Sequence, residues 1–294
     1  MPYLVSVGGN ALKGRHAEMS KLAFFLSRII DNGKVVLTHG NGPQVGAIES
    51  ALPETKLGIA TAMTQAEIGI RLKEGVLASF EHSKDHRELR MDVLITEVFV
   101  KDTKHDMKPV KPIGSYYKTR EEALRELGNV PLASYGKGYR RVVPSPEPLR
   151  LARPDTLHAL LECNDIVIAG GGGGVPVMET GRGREMVECV VDKDYTSAMI
   201  AQEIGSSMMY IFTDVDGVYE GFGTKKQKLI ERMSAKEAKE MAERGHLEGG
   251  SIRPKVSAAA RFTERTGGIS VIANLLKPES ALSLSGCTVI YSGN

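Results

Sequence analysis

The chain has 294 residues, of which 41% are hydrophobic and 25% are charged, values typical of soluble globular domains. This composition excludes collagen-like, intrinsically disordered and membrane-embedded proteins. The formal charge is only +2, so we expect neither nucleic acid nor a membrane surface as a partner. A chain of this length can form one large domain or two coupled ones.

The three cysteines, Cys163, Cys189 and Cys287, are far apart and odd in number. Such spacing predicts neither a disulfide framework nor a zinc site, and we assign no residue as a metal ligand. No basic leader precedes the first apolar run, and no apolar stretch approaches about 18 residues. We therefore expect a cytoplasmic protein with packed, reduced thiols.

The first 40 residues predict a βαβ unit. A strand at Tyr3–Val7 is followed by apolar residues at helical spacing over residues 22–30, and then by a β-branched run at residues 35–38. A capping-box pattern from Thr64 to Glu67 predicts the start of the next helix, and residues 93–100 predict a strand. Continuous apolar strands of this kind are typical of a parallel sheet covered on both faces.

The alternation of predicted strands and helices stops at residues 101–148, which contain six prolines and one capped helix beginning at Thr119. We interpret this segment as a lid subdomain that leaves the main sheet. The alternation resumes after this segment. Strands are predicted at 166–169, 208–213, 270–273 and 287–291, and a hairpin is predicted from strands 175–178 and 188–191. Helices are predicted from Asp194, after Ser234 and from Pro254.

Three predicted strands end in glycine: Val7 before Gly8-Gly9, Thr38 before Gly40-Asn41-Gly42, and Ala169 before five glycines. Ligands of open α/β sheets bind beyond the carboxyl ends of strands, where glycine lets backbone N–H groups approach an anion. The alternative is that each glycine only makes a tight turn. Neither a P-loop nor a dinucleotide-binding glycine motif occurs.

A second group of candidates is charged and lies on turns: Lys111, the run Asp192-Lys193-Asp194, and Lys255. Lysines kept in place by a carboxylate would stabilise the charge on a transferring phosphoryl group. For each lysine alone, the alternative is a solvated surface charge. His39 is either a general base or a hydrogen-bonded structural histidine.

The turn at residues 213–219 could bind a metal or line a nucleoside pocket. A calcium loop is disfavoured, because Lys225 stands where the closing glutamate is required.

Taken together, these segments resemble the carbamate kinases of the amino acid kinase superfamily. The matches run in family order over nearly the whole chain: GGNAL at 8–12, THGNGPQVG at 38–46, KPIG at 111–114, RRVVPSP at 140–146, GGGG at 170–173, VDKD at 191–194, TDVDGVY at 213–219 and GSIRPKV at 250–256. The resemblance implies a three-layer αβα sandwich with a mainly parallel sheet and a protruding lid. It also implies Mg²⁺-dependent phosphoryl transfer between ATP and carbamate, with ADP and carbamoyl phosphate as the other pair, in a homodimer.

By the same resemblance, residues 1–164 form a carbamate-binding half that includes the lid, and residues 165–294 form a nucleotide-binding half. The implied catalytic residues are Lys111, Lys193, Asp194 and Lys255. The implied anion-site residues are Gly8, Gly9, Asn10, Gly40, Asn41, Gly42, Gly171 and Gly172. The implied nucleotide-binding residues are Lys193, Thr213, Asp214, Val215, Tyr219 and Lys255.

The chain departs from the family pattern at three places, one of which is the lid segment Lys101–Lys108, shorter and more charged than is usual. Arg253 stands where a flexible glycine is usual in the nucleotide loop, and the helix at residues 64–70 lacks the usual aromatic residues of the dimer contact. Two alternatives stay open from the sequence: a kinase acting on another small carboxylate or phosphate acceptor such as acetylglutamate, and a nucleotide-binding regulator without turnover.

Overall fold

The computed structural model describes residues 1–8, 16–81, 88–101, 107–136, 138–244, 247 and 252–293. Within these ranges the α-helices are α1 His16–Ile29, α2 Gly42–Ala51, α3 Leu57–Glu81, α4 Arg120–Leu127, α5 Pro154–Cys163, α6 Lys193–Glu203, α7 Ala235–Glu243, α8 Ile252–Thr266 and α9 Pro278–Ser283. The strands are β1 Tyr3–Val7, β2 Val35–His39, β3 Met91–Val93, β4 Glu97–Phe99, β5 Lys111–Tyr117, β6 Leu132–Tyr135, β7 Gly138–Val143, β8 Arg150–Leu151, β9 Ile166–Ile168, β10 Val175–Thr180, β11 Gly183–Met186, β12 Met208–Thr213, β13 Tyr219–Glu220, β14 Lys228–Leu229, β15 Arg232–Ser234, β16 Ile269–Asn274 and β17 Thr288–Tyr291.

Eight of these strands form the central sheet, in the order β15-β17-β16-β12-β1-β2-β9-β3. The β16–β17 pair is antiparallel, and the other neighbouring pairs are parallel. The buried strands β1, β2 and β9 lie side by side in this sheet, between β12 and the edge strand β3. The predicted α/β fold with a mainly parallel sheet is confirmed.

Apolar clusters cover both faces of the sheet, because alternate side chains of each central strand point to opposite faces. On one face Val5 and Phe212 pack with Leu22 of α1 and Leu72 of α3. On the other face residues of the same strands pack with α5, α6, α7 and α8. The result is the three-layer arrangement that the resemblance implies.

The lid is a separate antiparallel sheet in the order β5-β7-β6, with α4 beside it. The Thr119 hydroxyl accepts a hydrogen bond from the Glu122 amide, so the predicted cap of α4 is confirmed. A further sheet has the order β11-β10-β4-β8, and its strands β4 and β10 follow β3 and β9 of the main sheet along the chain.

Three predicted elements have different bounds in the structure. The single strand predicted over 93–100 is two strands in different sheets, β3 and β4, because the chain changes sheet between them. The hairpin after β10 closes at once, so its second strand is Gly183–Met186 rather than 188–191. Helix α3 begins at Leu57 rather than near Thr64, whose buried hydroxyl donates to the Thr61 carbonyl inside the helix instead of capping it.

Helices α2, α5 and α9 and the edge strand β15 were not predicted from the sequence. Each of the three helices has proline in its first turn, where its fixed backbone angle fits and no hydrogen bond is lost. Among the described residues, no helix combines the length and apolar character that a membrane span requires.

Candidate functional site

The glycine-rich strand ends meet at one edge of the central sheet. Strands β12, β1, β2 and β9 are adjacent and parallel, so their carboxyl ends lie together. The amide of Gly8 donates to the Phe212 carbonyl at 3.2 Å, and the amide of Gly40 donates to the Val7 carbonyl at 3.1 Å. Gly9 and Asn10 lie outside the described residues.

The glycine turn after β9 fits tightly against the turn after β2. Gly172 has φ +61°, and a Cβ at this position would overlap the side-chain amide of Asn41. Asn41 in turn donates to the Thr64 hydroxyl at 2.9 Å. Glycine is therefore required at 172 by both its backbone angle and its neighbour.

A cavity of about 320 Å³ lies at this edge of the sheet. Its lining includes the first turns of three helices: Gly42 and Pro43 of α2, Lys193 and Asp194 of α6, and Pro254 and Lys255 of α8. Unpaired N–H groups and the helix dipole make each helix N-terminus favourable for an anion. Three such ends around one cavity provide a setting for a multiply charged phosphate ligand.

Two buried lysines share one buried carboxylate in this cavity. Lys193 Nζ donates to Asp194 Oδ1 at 2.6 Å, and Lys255 Nζ donates to Asp194 Oδ2 at 3.2 Å. Burial alone would raise the pKa of Asp194, but the two ammonium groups hold it at about 2. Burial lowers the pKa of Lys193; Asp194 opposes this shift and Lys255 adds to it. Asp194 therefore keeps two cations in fixed positions within hydrogen-bond distance of one carboxylate.

A chain of buried, hydrogen-bonded hydroxyl groups holds the Lys193 ammonium group in place. Lys193 Nζ donates to Ser6 Oγ at 2.7 Å, Ser197 Oγ donates to Ser6 Oγ at 3.1 Å, and the Ser197 and Thr38 hydroxyls are 2.7 Å apart. All three hydroxyl side chains are fully buried. The ammonium is thus fixed between strand β1 and its own helix.

Lys111 enters the cavity from the lid, at the first residue of β5. It pairs with Asp192, which also caps α6 by accepting a hydrogen bond from the Asp194 amide at 3.0 Å. The Lys111 side chain is 38% exposed, whereas those of Lys193 and Lys255 are 10% and 8% exposed. Lys111 is therefore the most accessible of the three lysines.

The structure brings most of the predicted site residues to this cavity. Those that line it are Gly8, Gly40, Asn41, Gly42, Lys111, Gly172, Lys193, Asp194, Thr213, Asp214 and Lys255. Gly171 is buried against the His39 ring. Val215 and Tyr219 follow the end of β12 outside the described lining, where the Tyr219 ring packs on Phe222 with centroids 5.9 Å apart.

Several residues that shape the site were not predicted from the sequence. Ser6 holds Lys193, and Val45 and Val190 line the cavity. For Ser6 one signal was present, because it is a polar residue in an otherwise apolar five-residue strand. The cavity-lining valines carry no signal, since they resemble ordinary core residues.

His39 has the surroundings of a structural histidine. It is 1% exposed, and its Nδ1 lies 3.2 Å from the Gly40 carbonyl. Burial lowers its pKa to about 4, the hydrogen bond to Gly40 opposes the shift, and Lys193 adds to it. A neutral ring packed behind the glycine turns does not reach the cavity.

Comparison with known proteins gives a consistent result over the full chain. A model of the amino acid kinase family matches residues 1–274. A carbamate kinase of Pyrococcus horikoshii is 36% identical over 300 residues with 95% of each chain covered, and carbamate kinase 2 of Staphylococcus epidermidis is 36% identical with 92% of each covered. The structure of a Giardia lamblia carbamate kinase bound to AMP-PNP is 29% identical, has a TM-score of 0.83 and is matched over 99% of this chain and 98% of that chain. The chain therefore belongs to the carbamate kinases of the amino acid kinase family.

Proposed function

We propose that the protein transfers a phosphoryl group reversibly between ATP and carbamate, giving ADP and carbamoyl phosphate. The observation that carries this proposal is the convergence of Lys111, Lys193 and Lys255 with three helix N-termini on one cavity. Phosphoryl transfer depends mainly on holding two anions in line and on stabilising the charge of the transferring group.

We assign the two substrates to the two halves of the chain. Residues 1–164 supply the acceptor end, with Gly8, Gly40, Asn41 and Gly42 at the ends of β1 and β2. In the proposal, Gly9 and Asn10 of this half and Gly171 and Gly172 of the other half complete the acceptor end. Residues 165–294 supply the nucleotide end, where Lys193 and Lys255 hold the phosphates and Thr213, Asp214, Val215 and Tyr219 border the nucleoside.

In the forward direction, a carboxylate oxygen of carbamate attacks the γ-phosphorus of ATP while the bond to the β-phosphate oxygen breaks. ADP leaves with the electron pair, and no proton is transferred. Lys111 contacts the transferring group from the acceptor side, opposite Lys193 and Lys255. The burial of His39 agrees with this route, because an acceptor that is already ionised needs no general base.

The carboxylates of the cavity fit a magnesium ion that arrives with the nucleotide. Within the described ranges, no three His, Cys, Asp or Glu side chains cluster as a metal site. Mg²⁺ in kinases is typically held by one or two carboxylates together with phosphate oxygens and water. Asp214, which is exposed and lines the cavity, is the residue that would hold it. When bound, Mg²⁺ neutralises charge on the phosphates.

A larger acceptor is less compatible with the described lining. Acetylglutamate carries a second carboxylate that would need its own cation. The described part of the lining contains no arginine, and its lysines all lie close to Asp192 or Asp194. Val45, Ile113 and Val190 form an apolar wall instead. A small acceptor such as carbamate, which has no second carboxylate, is more compatible with this apolar wall.

We also propose a homodimer that forms through α3. Ile59, Met63 and Ile70 are 41%, 42% and 47% exposed and lie four and seven residues apart, on one face of the helix. An exposed apolar stripe of this kind is typical of a protein interface. Sedimentation of wild type and Met63→Glu would test this: a dimer that the variant converts to monomer supports the interface, and a wild-type monomer contradicts it.

The activity is tested by ATP formation from ADP and carbamoyl phosphate with Mg²⁺. We expect rapid turnover with wild type, large losses in Lys111→Ala and Lys193→Ala, and wild-type rates in Lys21→Ala, whose side chain is exposed and paired with Glu279. Acetyl phosphate is offered as a competing donor and acetylglutamate as a competing acceptor. ADP binding without turnover would favour a regulator, and preference for acetylglutamate would favour the other acceptor class.

A further inference from the structure

The paired arginines Arg140 and Arg141 belong to a motif shared with carbamate kinases, yet neither lines the cavity. Both lie on β7, the middle strand of the lid sheet. Arg141 is the register partner of Ile113 on β5, and Val143 is the register partner of Lys111. Arg141 therefore lies on the strand next to that of Lys111, two register positions away from it.

Arg141 reaches out of the lid to α2. Its Nη1 forms an ion pair with Oε1 of Glu49, whose side chain is only 8% exposed. In the described part of the chain, the Nε atom of Arg141 is buried without a hydrogen-bond partner. The position of the guanidinium thus depends strongly on the Glu49 carboxylate.

The lid and α2 also approach each other closely through their backbones. A Cβ on Gly46 would lie 2.8 Å from the Cα of Gly114. Gly114 has φ +68°, and its carbonyl accepts hydrogen bonds from Arg140 Nη2 at 2.7 Å and Nε at 3.1 Å. The contact is continued by a small apolar cluster that includes Ile113 and Val143 of the lid and Val45 of α2.

Helix α2 therefore has two functions in one element. Its N-terminal residues Gly42 and Pro43 line the cavity, and its later residues Gly46 and Glu49 hold the lid. Glu49 lies seven residues after Gly42, about two helical turns further along. A lid fixed at this point has a defined position relative to the anion site.

We propose that Glu49 and Arg141 are positioning residues that hold the lid strand β5 so that Lys111 faces the transferring phosphoryl group. This inference rests on the proposed function, in which Lys111 contacts that group. The ion pair acts through Lys111 and does not touch the substrates.

The surroundings of Glu49 make the pair sensitive to the loss of either partner. Burial raises the pKa of Glu49, Arg141 opposes this shift, and the nearby Glu188 adds to it. Glu49 also raises the pKa of Tyr117 on β5, after burial and the closer Glu126. An uncompensated charge left by removing one partner is unfavourable in such a site.

The experiment is a mutant cycle between the ion pair and the lysine that it positions. Glu49→Gln is made in wild type and in Lys111→Ala, and ATP formation is measured with ADP and carbamoyl phosphate varied separately. We expect Glu49→Gln to lower kcat about tenfold, equivalent to about 1.4 kcal/mol, with KM for ADP unchanged. In the Lys111→Ala background the same change is expected to have no further effect on kcat.

Two further variants separate positioning from folding. The double variant Glu49→Gln/Arg141→Gln removes both charges, and we expect its kcat to be no lower than that of Glu49→Gln. Glu179→Gln is the matched control, because Glu179 pairs with Arg150 on the surface outside the lid. We expect the control to have wild-type kinetics.

The outcomes distinguish this inference from the proposed function. An equal loss from Glu49→Gln with and without Lys111, or a rise in KM for ADP together with a fall in Tm, would show a merely structural role and overturn the inference. Wild-type kcat in Lys111→Ala would instead reject the role of Lys111 in the proposed function, and the positioning role with it. Wild-type kcat in Glu49→Gln alone would overturn only the inference.

Discussion

The two sides of the cavity hold their lysines in different ways. On the side of the main sheet, Lys193 and Lys255 are buried, share Asp194 and lie in the first turns of two helices of the main fold. On the lid side, Lys111 is 38% exposed, pairs with Asp192 and is carried by a separate small sheet. One side is part of the core and the other is attached to it. Changes on the first side should therefore affect folding and catalysis together, and changes on the second should affect catalysis alone.

The largest effect that separates the two sides is expected from Lys111→Ala. Under the proposed function, Lys111 stabilises charge on the transferring phosphoryl group, so its removal should lower kcat by about 10²–10³-fold. Tm and the KM for ADP should change little, because the side chain lies outside the core. Steady-state kinetics and thermal unfolding measure both; a parallel loss of ADP affinity would contradict the assignment.

Asp194→Asn tests the opposite side. It leaves two buried ammonium groups without their carboxylate, and we expect a loss of about 3 kcal/mol in the free energy of unfolding as well as weak activity. Denaturant unfolding of the variant measures the loss. The control Glu264→Gln, in an exposed pair with Lys239, should lose less than about 1 kcal/mol.

The same residue predicts a pH dependence of stability. Its pKa is lowered from 3.8 to about 2 in the folded protein. The stabilisation is therefore fully present above about pH 4 and is lost as the pH falls towards 2. Unfolding curves measured across this range should show a component that Asp194→Asn lacks, and identical acid profiles would contradict it.

Gly46→Ala should weaken the attachment of the lid. The new methyl group would meet the Gly114 backbone, which cannot move without shifting β5. We expect kcat to fall about tenfold, which corresponds to about 1.4 kcal/mol. The matched control is Gly75→Ala, whose methyl group meets only the flexible Met19 side chain. Equal kinetics in the two variants would show that the close approach of lid and α2 does not matter.

The smallest effect is expected from Ser6→Ala, which removes the hydroxyl that accepts a hydrogen bond from Lys193. The hydroxyl favours the charged lysine by about 1 kcal/mol. Its loss lowers the pKa of Lys193 further, so the alkaline limb of kcat/KM should move to lower pH. Ser270→Ala, at another fully buried hydroxyl on a central strand, is the control. An unmoved alkaline limb would contradict the role of Ser6.

The sequence predicted most strands of the central sheet because they are continuous apolar runs, and three of them, β1, β2 and β9, lead into glycine turns. The capping box at Ser234 was also predicted correctly, since both of its hydrogen bonds form locally. The similar pattern at Thr64 gave a wrong helix start, because a tertiary contact with Asn41 and a bond to the preceding turn use the threonine hydroxyl instead. Local patterns are informative where no distant partner competes for the same atoms.

For the site, the sequence supplied residue types but not their partners. Lys111 and Asp192 are 81 residues apart, and Lys193 and Ser6 are 187 residues apart. Such pairs form because the strand order places β1 beside β12 and next to α6. This order cannot be predicted from residue spacing along the chain. Arg141 and Glu49 were missed as a pair for the same reason.

The order of the central strands also determines how the two halves relate mechanically. Strand β1 of the first half pairs along its whole length with β12 of the second half, so one hydrogen-bonded sheet runs through both. A hinge motion that separated the two halves would break this pairing and expose a sheet edge. We therefore expect the strand ends that line the cavity to keep their relative positions, which are set by strand pairing at about 4.8 Å per strand. Under the proposed function, we expect the movement that admits substrates to involve the lid, which is a separate sheet, rather than a separation of the halves.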